Sequence, residues 1–509
     1  MTQEPAPTEP PVALAGPTLT GASIAAAGTA TAPAPAGRWL SLGLPSRLRS
    51  PHWIRKLAAH PRAGRRALAT ILAGTALVVV YSTASANPII PGSATFFPPW
   101  DSGPLHLIFR WLPVNTRAIQ IGFSVVVVVM LGAWLVALEC LRTISMRSIV
   151  LTILALHAVV LLAPPGQLND VWNYLGYARL GGLHHLSPYT HTMADEIRDP
   201  IYRFSSWHHL SSPYGPLFTA LSYPLAWLPI WVAYWLLKLE AMLLSLGLIA
   251  LVYRCARQLG RDPRYAVAFL ALNPIYVIYA MAGFHNDFLM LVALVGSISL
   301  LLDHRDRSAG AVLMLAVAVK FSAVLLLPFL ILGERNRNRR LDVLVGAALG
   351  ALPLVAMSLA LFGPHIPNLS DQSTLLTPFS IPNMVGLVIG ADGGAPWVLR
   401  LADVALVAAV VWLLRRRGDW LARAGWGTVA LIASLSWLVP WYVIWALPLA
   451  ALGKSIRLRR VAVGLTVYLV LTFMPITGLV LYKHGLNPLN TRVGHASSKL
   501  QKMLEEFPG

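Results

Sequence analysis

The segment "AGAVLMLAVAVKFSAVLLLPFLILGERNRNRR", residues 309–340, decides the class of fold. Lys320 alone interrupts its apolar run, and basic clusters flank the run on both sides, at Arg305–Arg307 and Arg335–Arg340. A single membrane crossing would put one basic flank on the wrong face and Lys320 in the bilayer centre, at a cost of about 3 kcal/mol or more. The pattern therefore predicts a helical hairpin that turns near Lys320.

The composition of the whole chain agrees with a membrane environment. Of 509 residues, 56% are hydrophobic and 12% are charged, and the mean hydropathy is +0.63. These values predict an all-α fold, a polytopic transmembrane bundle of about 11–13 hydrophobic helices, some of them in re-entrant hairpins. The 40 basic residues outnumber the 21 acidic ones and stand in short clusters between apolar runs. This arrangement indicates loops against anionic membrane lipids and excludes nucleic acid as a partner.

The chain divides into three parts by composition. Residues 1–60 are rich in Ala, Pro and Thr and are expected to be a disordered cytoplasmic tail. Residues 67–482 carry the hydrophobic segments, and residues 483–509 form a C-terminal tail. The two cysteines, Cys140 and Cys255, give no disulfide framework.

Counting crossings from the basic clusters assigns a side of the membrane to each loop. A cytoplasmic N-terminus puts residues 164–215 outside, in a multi-pass protein of the plasma membrane. A second hairpin is expected over residues 424–452, because basic clusters flank that segment as well. Irregular backbone at membrane depth is tolerated only where protein covers it or a wet cavity lies beside it. The hairpin turns should therefore point toward a site on the extracytoplasmic side.

Asp170 lies in an aromatic, histidine-rich loop on that side and is the candidate catalytic base. A solvated acid, or a partner for Arg179, is the structural alternative. The loop histidines 184, 185, 191, 208 and 209 are interpreted as polar surface. The expected substrate-binding residues are Tyr174, Tyr189, Tyr214, His285, Asn286, Asp287, Trp441 and Tyr442.

Several of these assignments have an alternative that the sequence leaves open. His285 and Asp287 suit helix capping as well as function. Trp441, Tyr442 and Trp445 suit an interfacial aromatic belt as well as a platform for sugar stacking. Lys320 could pair with a neighbouring acid, but at a hairpin turn near few acids its expected partner is an anionic phosphate.

Several short motifs, in this order and spacing, resemble those of a known family. They are Asp170–Tyr174, Pro188-Tyr189, Pro213–Pro216, Asn273-Pro274, Gly283–Asp287, Ala318–Lys320 and Pro440–Tyr442. The chain resembles the integral-membrane C-fold glycosyltransferases, and within them the actinobacterial polyprenyl-phosphomannose-dependent α-1,6-mannosyltransferases. The resemblance covers about residues 67–482.

The resemblance implies an enzyme that faces the periplasm and takes mannose from a polyprenyl-phosphate donor. The acceptor would be a lipoglycan or glycolipid, the linkage α-1,6 and the displacement inverting. Asp170 would be the general base, Lys320 would bind the donor phosphate, and residues 285–287 would lie close to the site. No cofactor is indicated with certainty, no metal ligand is assigned, and a role for a divalent cation is left open.

Two other functions fit the same sequence features. The same fold could use another polyprenyl-phosphate sugar, such as arabinose or glucose. A transporter or flippase for a polyprenyl-linked saccharide would also need broken helices and a charge at membrane depth. Such transporters commonly contain an internal repeat, and none relates the two halves of this chain.

Overall fold

The computed structural model of the chain describes residues 51–85, 103–113, 115–166, 170–333 and 336–505. Within these ranges the regular structure is helical and contains no strand. The α-helices are α1 (His52–Ala58), α2 (Ala63–Ser85), α3 (His106–Phe109), α4 (Thr116–Glu139), α5 (Met146–Leu161), α6 (Asp170–Gly182), α7 (Pro216–Ser222), α8 (Ile230–Gln258), α9 (Pro263–Ala271), α10 (Asp287–Leu302), α11 (Asp306–Val319), α12 (Leu327–Gly333), α13 (Arg337–Phe362), α14 (Ser370–Thr374), α15 (Ile381–Val388), α16 (Pro396–Arg415), α17 (Trp420–Ser434), α18 (Val443–Leu452), α19 (Ile456–Phe473), α20 (Pro475–Lys483) and α21 (Arg492–Glu505).

Short helical turns join several of these helices. A π-helical turn, Ile275–Met281, follows α9, and 3₁₀ turns precede α12 and α18. The 3₁₀ turns are Met193–Glu196, Tyr202–Phe204, Tyr223–Trp227, Phe321–Leu326 and Pro440–Tyr442.

Five of the described helices are long and apolar enough to cross a membrane: α2, α4, α8, α13 and α16. Two bent pairs, α9 with its π turn and α19 with α20, raise the number to seven if each is one span. Shorter apolar helices, such as α5 and α10, complete the hydrophobic bundle. The prediction of a polytopic helical membrane protein is confirmed.

Both flanks of the segment around Lys320 lie at the same end of the bundle. Arg339, just inside α13, pairs with Asp306 at the start of α11, at 2.6 Å. Between these flanks α11 ends at Val319, and the chain returns through the 3₁₀ turn and α12. This geometry confirms the hairpin. We call the end of the bundle that holds this ion pair the basic end.

The second hairpin has the same form. Asp419, before α17, accepts a hydrogen bond from the backbone N–H of Lys454, after α18, at 2.5 Å. Arg261, between α8 and α9, lies 3.8 Å from the same carboxylate. Both flanks therefore lie at the basic end, and the turn at residues 435–442 lies at the other end, which we call the site end.

The packed centre of the bundle runs from α9 through the π turn into α10. Phe269, Tyr276, Tyr279 and Phe288 are completely buried there. The indole N–H of Trp134 on α4 donates to the carbonyl of Ala268 at 3.1 Å. This rigid centre ends at residues 283–286, and it fixes the turn that supports the candidate site.

The structure describes part of each predicted tail. The disorder expected for residues 1–50 lies outside the described residues, but His52–Ala58 form α1, and Ile54 is buried. The C-terminal tail contains α21, whose Leu504 packs with Leu210 and Leu375. Periodic polar and apolar residues in α21 make one face apolar, and that face covers the loop at the site end.

Candidate active site

Asp170 is the first residue of α6 and lines a cavity at the site end. Its carboxylate is 16% exposed, so it remains accessible from the cavity. One oxygen, Oδ2, lies 3.1 Å from Nδ1 of His285, which is completely buried. Neither ring nitrogen of His285 has a hydrogen-bond partner among the described residues, so this close contact is not a hydrogen bond.

The turn at residues 283–287 holds three of the predicted site residues in place. Phe284 adopts a positive φ of 52°, which is unusual for a bulky residue and turns the chain sharply after the π turn. The His285 ring then stacks on Trp441, with the ring centroids 4.0 Å apart and the planes 15° apart. The backbone N–H of Asn286 donates to the Tyr174 hydroxyl at 3.2 Å. Two distant helices, α6 and α10, are thereby joined beside the cavity.

Asp287 is buried at the start of α10, and one of its carboxylate oxygens accepts from two side chains. Its Oδ1 accepts from the Lys320 ammonium at 2.9 Å and from the Trp445 indole at 2.6 Å. The partner of Lys320 in the structure is therefore this side chain, the alternative that the sequence analysis weighed against an anionic ligand. An isolated buried carboxylate would be costly, and this pairing compensates both charges.

Lys320 nevertheless keeps access to the cavity. Its side chain is 19% exposed, and its ammonium lies about 5 Å above the rings of Tyr442 and Trp445. An ammonium has three donors, and Asp287 uses one of them. The remaining donors can serve an anion that enters the cavity.

The cavity has a volume of about 290 Å³ and contains most of the predicted site residues. It brings Asp170, Asp287 and Lys320 together although they are far apart in sequence. The other predicted residues that line it are Tyr174, Tyr214, Asn286, Trp441 and Tyr442.

Two predicted substrate-binding residues do not line the cavity. Tyr189 is buried, and its hydroxyl donates to the carbonyl of Tyr214 at 3.0 Å. His285 lies behind Asp170 and Trp441. Both residues contact neighbours that line the cavity. Their side chains are therefore placed to position those neighbours and not to contact a ligand directly.

Several lining residues were missed by the sequence analysis. Trp207 and Trp437 stack edge to face, with centroids 5.9 Å apart, on one wall. Gln372 and Ser373 contribute polar atoms from α14, a short helix that no apolar pattern could reveal. Trp445, by contrast, was grouped with Trp441 and Tyr442 from the sequence, and it lines the cavity with them.

The side-chain amide of Asn286, in the cavity wall, has unused hydrogen-bonding capacity. Its side chain is buried, yet neither amide atom has a hydrogen-bond partner among the described residues. Buried polar groups are normally paired, and exceptions of this kind concentrate where a ligand or water completes the bonding. The Asn286 amide is therefore suited to a hydroxyl-bearing ligand.

The aromatic wall near Asp170 stays neutral at physiological pH. Burial, with a further effect of the Asp170 and Asp287 carboxylates, raises the pKa of Tyr174 well above its usual value. Burial and the carboxylate of Asp170 raise the pKa of Tyr214 in the same way. Both phenols therefore remain hydroxyl groups and present apolar rings to the cavity.

Sequence comparisons show which known proteins the chain resembles. The profile of the family described as "Alpha-(1->6)-mannopyranosyltransferase, N-terminal domain" matches residues 69–333, and that of the "MptB C-terminal domain" matches residues 397–491. The chain belongs to the α-(1→6)-mannopyranosyltransferase family. It is therefore a membrane glycosyltransferase, as the motifs had suggested.

Several curated proteins are similar to this chain. Alpha-(1->6)-mannopyranosyltransferase A of Mycobacterium tuberculosis is 27% identical over 360 residues, which cover 62% of this chain and 68% of the relative. The protein of the same name from Corynebacterium glutamicum is 26% identical and covers 63% and 74%, respectively. A probable alpha-(1->6)-mannopyranosyltransferase of Mycolicibacterium smegmatis is 25% identical and covers 70% and 75%. No solved structure matches the chain.

Proposed function

We propose that this family member transfers mannose from a polyprenyl-phosphate donor to a lipoglycan or glycolipid acceptor, forming an α-1,6 linkage with inversion. The observation that carries the proposal is that Asp170 and Lys320 line one cavity. One is an accessible carboxylate and the other is an ammonium with unused donors. Inverting transfer from a lipid phosphate needs a base for the acceptor hydroxyl and a cation for the departing phosphate.

Each group has a defined role in the reaction. Asp170 accepts the proton of the acceptor hydroxyl as its oxygen attacks the anomeric carbon of the mannose. The bond from that carbon to the phosphate oxygen breaks, and the lipid phosphate leaves with the bonding electrons. Lys320 stabilises the negative charge that develops on the phosphate. Asn286 and the Trp441 ring contact the sugar, one by hydrogen bonds and the other by stacking.

The orientation of the site follows from charge. The basic end carries clusters such as Arg254–Arg264 and Lys454–Arg460, and basic loops remain in the cytoplasm. The site end then faces the periplasm or cell exterior, where a lipid-linked donor is present and a soluble nucleotide sugar is not. Aromatic and polar residues at that end suit a reaction at the membrane boundary.

A positive charge from a metal ion is not needed in this proposal. The described residues contain no group of three or more His, Cys, Asp or Glu side chains placed to hold a metal. We expect turnover in excess EDTA to stay within twofold of the untreated rate. A larger fall that Mg²⁺ or Mn²⁺ restores would add a divalent cation to the reaction.

The function is tested with the purified full chain in liposomes, supplied with an α-1,6-mannoside acceptor. Polyprenyl-phosphate mannose is compared with the corresponding arabinose and glucose donors and with a nucleotide-activated mannose. We expect transfer of mannose from the lipid phosphate and an α-1,6 product by NMR. Transfer from the nucleotide sugar alone, or movement of the lipid donor across the bilayer without transfer, would contradict the proposal.

A further inference from the structure

A second cavity of about 230 Å³ lies between α11 and α13, next to the candidate active site. One wall comes from α11 and the turn after it, with Met314, Val317 and Phe321. The other comes from α13, with Ala351, Val355 and Leu359, and residues 363–367 close one end. Nearly all of the lining side chains are apolar, Ser358 and His365 being the polar ones. We call this cavity the α11–α13 groove.

Glycines allow the two helices to touch before the groove begins. The helices run side by side from the basic end, and a Cβ on Gly310 or Gly346 would overlap a backbone carbonyl of the other helix. A Cβ on Gly350 would lie 2.7 Å from the Cα of Ala311. Contact is therefore backbone to backbone as far as Gly350. Beyond these contacts the groove begins, with Met314 and Ala351 as its first lining residues on the two helices.

The groove adjoins the active-site cavity. Phe321 lines both, and the preceding residue is Lys320, whose ammonium reaches the active-site cavity. A different face of α13 is exposed along an apolar span, with Leu349 59% and Leu352 65% exposed. A ligand that extends from Lys320 into the groove must join an anionic head to a hydrocarbon chain that reaches the lipid.

We propose that the α11–α13 groove holds the isoprenoid chain of the donor while Lys320 holds its phosphate. This inference rests on the proposed function, because it takes the lipid-phosphate donor as the ligand. The acceptor of the reaction also carries a lipid, but the groove is lined by Phe321, the residue next to Lys320, and not by Asp170 or its neighbours on α6. The position of the groove therefore favours the donor.

The test fills the groove without touching the active-site residues. Ala351→Trp places an indole inside the groove, and Leu352→Trp places the same indole on the exposed face of the same helix as a matched control. Both variants are compared with the wild-type chain for expression and thermal stability. Val355→Trp is a second filling variant in case Ala351→Trp does not fold.

Binding is measured with a polyprenyl phosphate that carries a photoreactive group in its chain and no sugar, so that the result does not depend on transfer. We expect Ala351→Trp to reduce cross-linking at least fivefold and Leu352→Trp to leave it unchanged. Equal cross-linking in the two variants would overturn the groove assignment, as would a reduction that a free fatty acid probe reproduces.

Turnover separates the groove from the proposed function. We expect Ala351→Trp to raise the KM for a long-chain donor about tenfold and to leave the KM for a short, soluble lipid-phosphate mannose unchanged. An equal rise for both donors, or a rise only in the KM of the acceptor, would overturn the groove assignment. If the wild-type protein transfers no sugar from either donor, the proposed function fails. The cross-linking result still decides whether the groove binds the isoprenoid chain.

Discussion

The two ends of α6 hold acids of opposite character. At the first residue, Asp170 faces the cavity with a 16% exposed carboxylate, and its close polar contact is His285. Near the last turn, Arg179 donates to both oxygens of Asp199, at 2.9 and 3.0 Å. Asp199 also accepts from His184 at 2.7 Å and from the backbone N–H of Ile201 at 2.9 Å. Its carboxylate is 1% exposed.

The two carboxylates beside α6 are suited to different roles, because one is saturated by hydrogen-bond donors and the other is open to the cavity. A carboxylate whose lone pairs are occupied by donors cannot accept a proton from a substrate, but it holds the chain firmly. A carboxylate that is left open to a cavity stabilises little and remains reactive. Asp199 therefore fixes the loop that follows α6, and the carboxylate of Asp170 stays accessible for the reaction that we propose.

The largest expected effect is that of Asp170→Asn on turnover. Removal of a general base lowers kcat by roughly 100- to 10,000-fold, and the amide cannot take the proton of the acceptor. Thermal stability should stay at the wild-type value, because the carboxylate has few partners. Asp371→Asn, at an exposed acid on α14, is the matched control and should retain full turnover. Turnover above a tenth of the wild-type rate would remove Asp170 from its role as base.

The next largest effect concerns the donor phosphate. Lys320→Ala should weaken donor binding roughly 10- to 150-fold, the value of one hydrogen bond to a charged group. Because this change also leaves the buried Asp287 without its cation, it is compared with the double variant Lys320→Ala/Asp287→Asn. We expect the double variant to regain thermal stability but not donor affinity, measured by titration with labelled donor. Recovery of both would show that Lys320 acts only as the partner of Asp287.

A smaller effect is expected for the unpaired amide in the cavity wall. Asn286→Ala should lower kcat/KM about two- to tenfold, the net value of a neutral hydrogen bond. Stability should not fall, because the amide has no partner among the described residues to lose. The comparison of mannose and glucose donors measures whether the loss depends on the sugar. A drop in thermal stability with unchanged kinetics would assign Asn286 to structure.

The smallest effect on turnover, less than threefold, is expected for Asp199→Asn, which should instead destabilise the protein by roughly 1–3 kcal/mol. Burial opposes ionisation of Asp199, but the hydrogen bonds from Arg179 and His184 hold its pKa below the ordinary 3.8. A carboxyl group whose pKa is lower in the folded state stabilises that state at pH values above its pKa in the unfolded state. This contribution to stability disappears as the pH falls through the pKa of the folded state. Thermal melts should therefore show the full difference from wild type at pH 5–7 and a shrinking difference below pH 3.8. A constant difference across this range would contradict the assignment.

Hydropathy and basic clusters predicted much of the fold. Hydropathy predicts spans at about residues 341–362 and 395–414, and the structure has α13 (Arg337–Phe362) and α16 (Pro396–Arg415) there. Flanking charge also predicted both hairpins, because a lysine at membrane depth and basic residues on both sides exclude a single crossing. These signals are local and strong, since they arise from the cost of placing charge in hydrocarbon.

The candidate site was predicted only in part, because its geometry depends on long-range packing. Asp170 and Lys320 were selected for their unusual surroundings, and both line the cavity. No sequence signal showed that Asp287 would pair with Lys320, since 33 positions separate them. Tyr189 was assigned to the ligand because its motif lies on the same side, whereas its side chain supports Tyr214.

The central claim is that Asp170 and Lys320 act on one lipid-phosphate sugar in one cavity. The most direct measurement is a cryo-electron microscopy structure of the Asp170→Asn variant with polyprenyl-phosphate mannose bound. We expect the phosphate within hydrogen-bond distance of Lys320 Nζ and the mannose between residue 170 and Trp441. A sugar bound outside this cavity, or a phosphate that does not contact Lys320, would contradict the account.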